Sequence, residues 1–401
     1  MQHKYDVVTV GGGIGGAALG RQLARQGATV LVLERESEFR DRVRGEVLVP
    51  WGVAEARELD LVDLLTEHCG HELRFWNVHL GNAPFMQRDL IETSSGGLGA
   101  MTFFHPEMQN PLLAAAQEAG AEVRRGARVS SVEPGDPAHV TYLHEGTTHE
   151  IEAGLVVGAD GRSSATRRWG GFEVKRDAER RQFAGVLLDG VTAPDDAMHT
   201  WFGLGQGLIG YLFPQGGGRV RAYVGFHSAS DFAALSGESD LPRFLETHLA
   251  LGVPEDYLEA ATSAGPLANF DATDNWVEEP YADGIALVGD AAATSDPTWG
   301  QGMSLTLRDV RILSAALSDY ESTEAAGRAY AESHRAVYAT CRRCEGWYTD
   351  LFLEIGPDSD ALRAKALPLI AEDPTRIPDT PISGPECGAD EAARQRFFGE
   401  A

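Results

Sequence analysis

The chain is poor in cysteine, in basic residues and in long apolar runs, and each shortage excludes something. Four cysteines among 401 residues cannot staple a fold of this size. Cys341 and Cys344 form a CRRC, but it lies within a helical pattern away from any βαβ unit and reads as helix packing. Only 34 lysines and arginines stand against 60 acids, a net charge of −26. Such a chain repels phosphate backbones and anionic lipids, so neither nucleic acid nor a membrane surface is an expected partner. No stretch approaches the ~20 apolar residues of a membrane span. Met1–Tyr5 runs directly into the first apolar segment, which leaves no room for a signal peptide, and a cytoplasmic location is expected. No His/Cys/Asp cluster has ligand spacing, so no metal is expected.

What is present begins with GGGIGG at Gly11–Gly16, straight after the apolar run Val7–Val10. A second apolar run, Val30–Leu33, closes on Glu34. Strand, glycine turn, helix, strand and terminal acid within about thirty residues is the arrangement a dinucleotide requires. Gly11 permits the tight turn, Gly13 lets backbone approach a pyrophosphate, and Gly16 lets the helix lie close to the sheet, with Gly15 between them. Amides opening that helix point at phosphate, and Glu34 can accept from a ribose diol. A second GxGxxG at Gly205–Gly210 precedes a strand-like run and has no following acid, so it reads as a turn between strands.

The length suggests two domains. Residues 1–73 follow β-α-β and an exposed arginine-rich stretch, and 74–104 are β-rich. Residues 105–170 return to α/β, with a buried strand at Leu155–Asp160 ending in an acid. Within 171–269 come consecutive strands at Phe183–Leu188, His199–Phe202, Leu208–Phe213 and Val220–Phe226, then a helix near Leu241–Leu251. Residues 270–340 resume α/β with Ile285–Val288 and a helix from about Ser304 to Leu317. The expected organisation is α/β. A discontinuous Rossmann-like domain (1–73, 105–170 and 270–340) carries a sheet-rich substrate domain (74–104 and 171–269). A C-terminal helical segment, 341–401, ends in an irregular tail marked by Pro374, Pro378, Pro381 and Pro385.

Two further motifs each begin where a buried strand ends: Gly158–Arg167, reading GADGRSSATR, and Gly289–Met303, reading GDAAATSDPTWGQGM. In an open parallel sheet that edge is where ligands sit. With the glycine fingerprint, their order and spacing resemble the single-component flavin monooxygenases typified by 4-hydroxybenzoate hydroxylase, over residues 1 to about 320. The resemblance implies FAD as cofactor, with NADH or NADPH as a transient co-substrate lacking a domain of its own. It implies that Gly11, Gly13, Gly16, Glu34 and Arg35 form the ADP-binding set, with Arg44 near the pyrophosphate and Gln109 near the ribityl chain. Val129 would meet adenine through its backbone, Asp290 would bond the ribityl hydroxyls, and Asp160 and Arg167 would contact FAD and NADPH. Ala293 departs from the histidine that many relatives carry there.

Gly300, Gly302 and Met303 sit at the start of a helix whose amide donors suit negative charge at flavin N1 and the C2 carbonyl. Pro297 would shape the loop where the family activates oxygen. Tyr211, Arg221 and Tyr223 are the candidate substrate-side catalytic residues, with Trp201, Phe213, His227 and Trp299 as further lining candidates. Arg221 suits a carboxylate or phenolate and a tyrosine can relay a phenolic proton; sheet core is the alternative role for each. Trp347, Tyr348 and Phe352 lie at helical spacing and read as packing. The implied reaction is insertion of one oxygen atom from O₂ into an aromatic or polycyclic small molecule through a flavin hydroperoxide, by a monomer or homodimer. Alkene epoxidation, polyprenyl reduction, halogenation and non-catalytic flavin binding are the alternatives.

Overall fold

The structure is a computed structural model and describes residues 5–230 and 232–400. Met1–Lys4, and with them most of the leading segment discussed above, lie outside the described residues.

The chain opens with β1 (Tyr5–Val10), α1 (Ile14–Arg25) and β2 (Val30–Glu34), with β1 and β2 parallel. It leaves this layer for a hairpin, β3 (Phe75–Leu80) and β4 (Ala83–Asp89), and returns through α2 (His105–Glu118) to β5 (Glu122–Arg125) and β6 (Thr147–Gly158). Four strands follow: β7 (Arg181–Asp189), β8 (Ala197–Gly203), β9 (Leu208–Pro214) and β10 (Val220–His227). Then come α3 (Leu241–Leu251), β11 (Ile285–Leu287), α4 (Gly302–Asp319) and α5 (Thr323–Phe352).

Two large sheets result. In the first, β11, β6, β1, β2 and β5 lie side by side and parallel. Continuous runs such as Val30–Leu33 are buried on both faces, as a sheet covered by helices on either side demands. In the second, the order is β7-β10-β9-β8-β3-β4, antiparallel except where β8 meets β3. The expected α/β organisation and the antiparallel middle are both present, and α3 occupies the expected Leu241–Leu251. The second glycine fingerprint forms the turn between β8 and β9. Strand β6 starts earlier than expected because its first half pairs antiparallel with Ala138–His144 before its second half joins β1.

Three boundaries differ from the sequence reading. The 340/341 division falls inside α5, which runs unbroken through it. Tyr330 Oη donates to the Leu287 carbonyl of the first layer, while Phe352, further along α5, stacks on Phe202 of the second. Ala100–Thr102, placed with the substrate segment, pairs with Val47–Leu48 and His71–Leu73 of the first segment. The tail beyond Ile370 is not irregular throughout. Pro374, Pro381 and Pro385 each stand in the first turn of a short helical element, where a missing N–H costs nothing, and a helix spans Glu391–Phe398. Phe397 from that helix is buried against Tyr348. Among the described residues, no helix is long and apolar enough to cross a membrane.

Candidate functional site

The carboxyl edge of β1 is shaped by absent side chains. Gly11 sits at φ +108°, and a Cβ there would lie 2.4 Å from the Ala159 carbonyl oxygen. A Cβ on Gly16 would lie 1.9 Å from the Gly11 carbonyl oxygen, so α1 can approach the turn only without one. Gly15 is packed on Thr306, at 3.0 Å. Gly13 differs: its Cβ position meets only Gln109 Nε2, at 3.8 Å. Open space therefore lies in front of Gly13, at the start of a helix that no side chain caps and whose first turn holds no acid. Exposed amides at such a terminus form an anion cradle. Glu34, buried at the end of β2, accepts from the Gly12 amide at 2.7 Å and the Glu36 amide at 2.8 Å. Arg35 is exposed beside it, 3.2 Å from Glu36. Ala127 N–H reaches the Glu34 carbonyl at 2.9 Å, which brings Val129, two residues on, to the same edge.

Asp290 faces this cradle from the end of β11. The Gly289 amide before it is held by Asp309 Oδ2 at 2.8 Å, and Asp309 in turn pairs with His334 at 2.7 Å. Burial raises the Asp290 carboxyl, while the charges of Arg44, Arg162 and Arg167 oppose the rise. Arg44 is open to solvent, yet protein crowds it closely enough that desolvation lowers its pKa. Accessible to water and ringed by protein, Arg44 lines a cleft.

Asp160 and Arg167, expected beside the cofactor, stand at the edge of the cradle, Asp160 Cα 3.1 Å from the Gly11 Cβ position and Arg167 within electrostatic reach of Asp290, with side chains that already have protein partners. Asp160 accepts from Ser164 Oγ at 2.5 Å, Ala165 N at 2.8 Å and Thr166 N at 3.0 Å, so its carboxylate closes the start of the Ala165–Trp169 helix. Arg167 is buried, donating to Asn275 Oδ1 at 2.7 Å and to the Arg162 carbonyl. The free amides of a short helix demand a cap, and that need absorbs the first acid of the DG motif.

The opposite end of the cleft is the loop before α4. Pro297–Trp299 form one helical turn, Gly300 takes φ +66°, and α4 starts at Gly302 with no side-chain cap. Asp296 holds the loop by accepting from Thr298 N at 3.0 Å and by an ion pair with Arg181 of β7. Tyr211 Oη donates to the Thr298 carbonyl at 2.6 Å. Trp299 packs against Tyr348 at 4.9 Å and against Phe202 at 6.4 Å. Met303 is half-buried on the first turn of α4, and the Gly302 Cβ position is clear to 3.8 Å.

Beside this loop one face of the second sheet carries a closed circuit of rings. Phe183, Tyr211, Phe213, Tyr223 and Phe270 make successive centroid contacts of 6.3, 5.2, 6.0 and 6.4 Å, and Phe270 returns to Phe183 at 5.8 Å. Burial raises both phenols well above their ordinary value, so they stay protonated and donate to loop carbonyls, Tyr223 to that of Arg44. Arg221 corrects the expectation of a substrate contact. It is fully buried, donating to Glu46 at 2.8 and 3.1 Å and to Asp41 at 2.9 Å, because a guanidinium inside a sheet core must be neutralised. It anchors the segment that carries Arg44. Trp201 lies outside the ring circuit, stacked between His79 and His199, and His227 faces Glu354 at 3.4 Å. Trp347, Tyr348 and Phe352 are core, as expected. Cys341 and Cys344 are buried free thiols, the latter pushed up to about 12 by burial.

Sequence reasoning missed Asp41, Glu46, Arg181, Asp296, Asp309 and the pair Gln301–Glu345, joined at 2.7 Å. For Glu345 a signal existed. It shares a helical face with Cys341, Tyr348 and Phe352, a lone acid in an apolar stripe.

The FAD binding domain family matches residues 4–341. Digeranylgeranylglycerophospholipid reductase 2 of Methanopyrus kandleri is 30% identical over 318 residues, 76% of this chain and 74% of its own. Among solved structures, p-nitrophenol 4-monooxygenase from Pseudomonas putida superposes with a TM-score of 0.77 at 17% identity, covering 100% of this chain and 98% of that one. Anhydrotetracycline hydroxylase from Streptomyces rimosus gives 0.72 at 22%, covering 98% and 76%.

Proposed function

Since the chain belongs to the FAD binding domain family and is an FAD-dependent oxidoreductase, we propose that it is a monooxygenase that oxygenates a flat aromatic or polycyclic small molecule, with NADH or NADPH as reductant. The residues present fit FAD. Gly13 fronts open space at an uncapped helix start, and Asp290 is half-exposed in the cleft with its carboxyl engaged by no hydrogen bond among the described residues. Gly11, Gly13, Gly15, Gly16 and the α1 amides would hold the pyrophosphate with Arg44. Glu34 would hold the ribose with Arg35 at the rim, Val129 the adenine, and Asp290 and Gln109 the ribityl chain. Gly300, Gly302 and Met303 would place the α4 amides against the ring. Bound there, FAD supplies the redox chemistry, accepting a hydride and activating O₂.

The observation that carries the substrate reading is the five-ring circuit beside the Pro297–Gly300 loop. A planar apolar ligand matches a wall of aromatic faces and edges, which prefer offset or edge contacts at such separations. This chain's own contribution is placement and dryness. Tyr211 and Tyr223 fix the carbonyls of Thr298 and Arg44 on either side of the wall, and Trp299 packs against Phe202 and Tyr348 on the sheet side of the loop. The names of the nitrophenol and anhydrotetracycline enzymes agree with an aromatic substrate.

The second reading, reduction of a polyprenyl chain, is favoured by relatives named as archaeal lipid reductases. One screen separates the two. Phenols, polycyclic phenols and polyprenyl lipids are offered to the FAD-loaded protein while NADH or NADPH consumption is followed, and products are weighed. The monooxygenase reading expects consumption stimulated by a phenol without any added reductase, and a product heavier by one oxygen atom. A product heavier by two hydrogen atoms, or consumption only with a partner reductase, overturns it.

A further inference from the structure

Behind the Asp296–Gln301 loop lies a cavity of about 350 Å³ that the aromatic wall does not share. One face of α5 lines it with Arg342, Glu345, Thr349 and Asp350; β7 contributes Arg181, the segment before Asn275 contributes Asp274, and the loop contributes Asp296. Glu345, Arg181 and Asp274 are each more than nine-tenths buried. Each leaves polar atoms without partners: Glu345 Oε2, Asp274 Oδ1, and both Nε and Nη1 of Arg181. Gln301, wholly buried, donates Nε2 to Glu345 Oε1 at 2.7 Å and leaves its own Oε1 unpartnered.

Orphan donors and orphan acceptors around one cavity call for a complement that both donates and accepts. Water does so, and a polar cavity of this size holds several molecules. The charges are also incompletely paired. Arg181 serves Asp296, and Arg342 serves Asp177 at 2.6 Å while standing 3.6 Å from Asp274. Glu345 has only the Gln301 amide.

We propose that Glu345 and Asp274, with the water between them, form a buried proton store, and that Gln301 transmits the charge state of Glu345 to the N-terminus of α4. Gln301 is the residue from which α4 begins, so the carboxyl lies next to the amides that would face the flavin ring. An ionised Glu345 competes for the positive end of that helix, and a protonated one leaves it to the cofactor. The amide is a two-ended contact. Gln301 Nε2 donates to Glu345 Oε1 here; ionised, Glu345 keeps that contact, and protonated, it can donate its own O–H to Oε1 once the amide turns over. The proton comes from bulk water through the cavity to Glu345 Oε2 and returns by the same route, and no other bond changes. Glu345 is thus a positioning residue acting through Gln301.

The groups facing Glu345 set where it titrates. Arg342, Cys341, Cys344 and Tyr338 lie on its own helix, Arg181 on the sheet, Asp274 on the crossing segment and Asp296 on the loop. Burial raises Glu345 and the charge of Asp274 raises it further, against the weaker pull of Gln301, Arg181 and Arg342.

The test uses the FAD-loaded protein and its Glu345→Gln and Asp274→Asn variants through a pH series. Infrared absorption follows protonated carboxyl groups, and the visible spectrum follows the flavin. The wild-type carboxyl band should fade with an apparent pKa between about 7 and about 8, and the flavin spectrum should shift in step. Glu345→Gln should remove that carboxyl band and the flavin step together, while Asp274→Asn should move the step to lower pH. A flavin spectrum that titrates identically in wild type and Glu345→Gln overturns the proposal, as does a wild type with no protonated carboxyl above the ordinary carboxylate range. Should Glu345→Gln fail to fold, Glu345→Asp decides: a displaced step supports the proposal and an unmoved one overturns it. No substrate enters the measurement, so its failure is distinct from failure of the monooxygenase reading.

Discussion

The two ends of the cofactor cleft are built from opposite materials. At the β1 end the shape comes from missing side chains, and backbone amides are left uncapped. At the α4 end the loop is held by buried charge, with Arg181 on Asp296 and Glu345 on Gln301, and the segment that meets Gly300 through Val47 is pinned in the same way by Arg221 on Glu46 and Asp41. Steric exclusion is insensitive to pH, whereas buried charges respond to it. The glycine end should therefore fail by losing cofactor, and the charged end by losing stability in a pH-dependent way.

The largest effect expected is at Arg221. Arg221→Met leaves two buried carboxylates without their counter-charge, and should cost about 3–5 kcal/mol in a denaturant titration. A loss under about 1 kcal/mol would mean that the charged end is not held by charge. Next is Gly16→Ala, whose Cβ meets a backbone oxygen at 1.9 Å. It should cost about 1–3 kcal/mol and yield protein purified without bound FAD.

Glu345→Gln should change stability increasingly as pH rises above the unfolded carboxylate range. The folded state raises this carboxyl, so its stabilising contribution is complete below the unfolded carboxylate range and is lost as pH rises through the folded value. The variant, a mimic of the neutral acid, should match wild type near pH 4 to 5 and exceed it in alkali by on the order of 2 kcal/mol, read as a difference in melting curves. Gly13→Ala sharpens the contrast from the other side. Its Cβ enters open space, so the melting curve of FAD-free protein should be unchanged while the FAD dissociation constant rises at least ~10-fold, about 1.4 kcal/mol. Equal loss in FAD-free protein would break the comparison. The smallest effect belongs to Tyr211→Phe, which removes one donor to the Thr298 carbonyl and should cost about 1 kcal/mol.

The parts legible in the sequence are those written locally. GGGIGG with Glu34, the strand-ending DG and GD motifs and the four middle strands each occupy one short window with its own periodicity. The proline-marked tail misled because proline both stops helices and starts them, and only the flanking geometry tells which. The buried charge network was not legible because its members lie far apart. Arg221 meets Glu46 across 175 positions, and Arg181 meets Asp296 across 115. An arginine alternating with aromatics along a strand looks the same whether its partner is a ligand or a distant acid. Asp160 has a second role that no local pattern announces: a motif acid at a strand end stands beside both the glycine turn and the next helix, and here its carboxylate also caps that helix.

In mechanical terms α5 is a tie-beam. Its 30 residues span about 45 Å, bolted near one end to the first sheet through Tyr330 and to α4 through His334, and near the other to the second sheet through Phe352. Swinging one sheet away from the other would have to shear one set of bolts or bend the beam. Traffic into the cleft then falls to the exposed segment around Arg44, and cutting the chain midway along this helix is the intervention that would let the two sheets part.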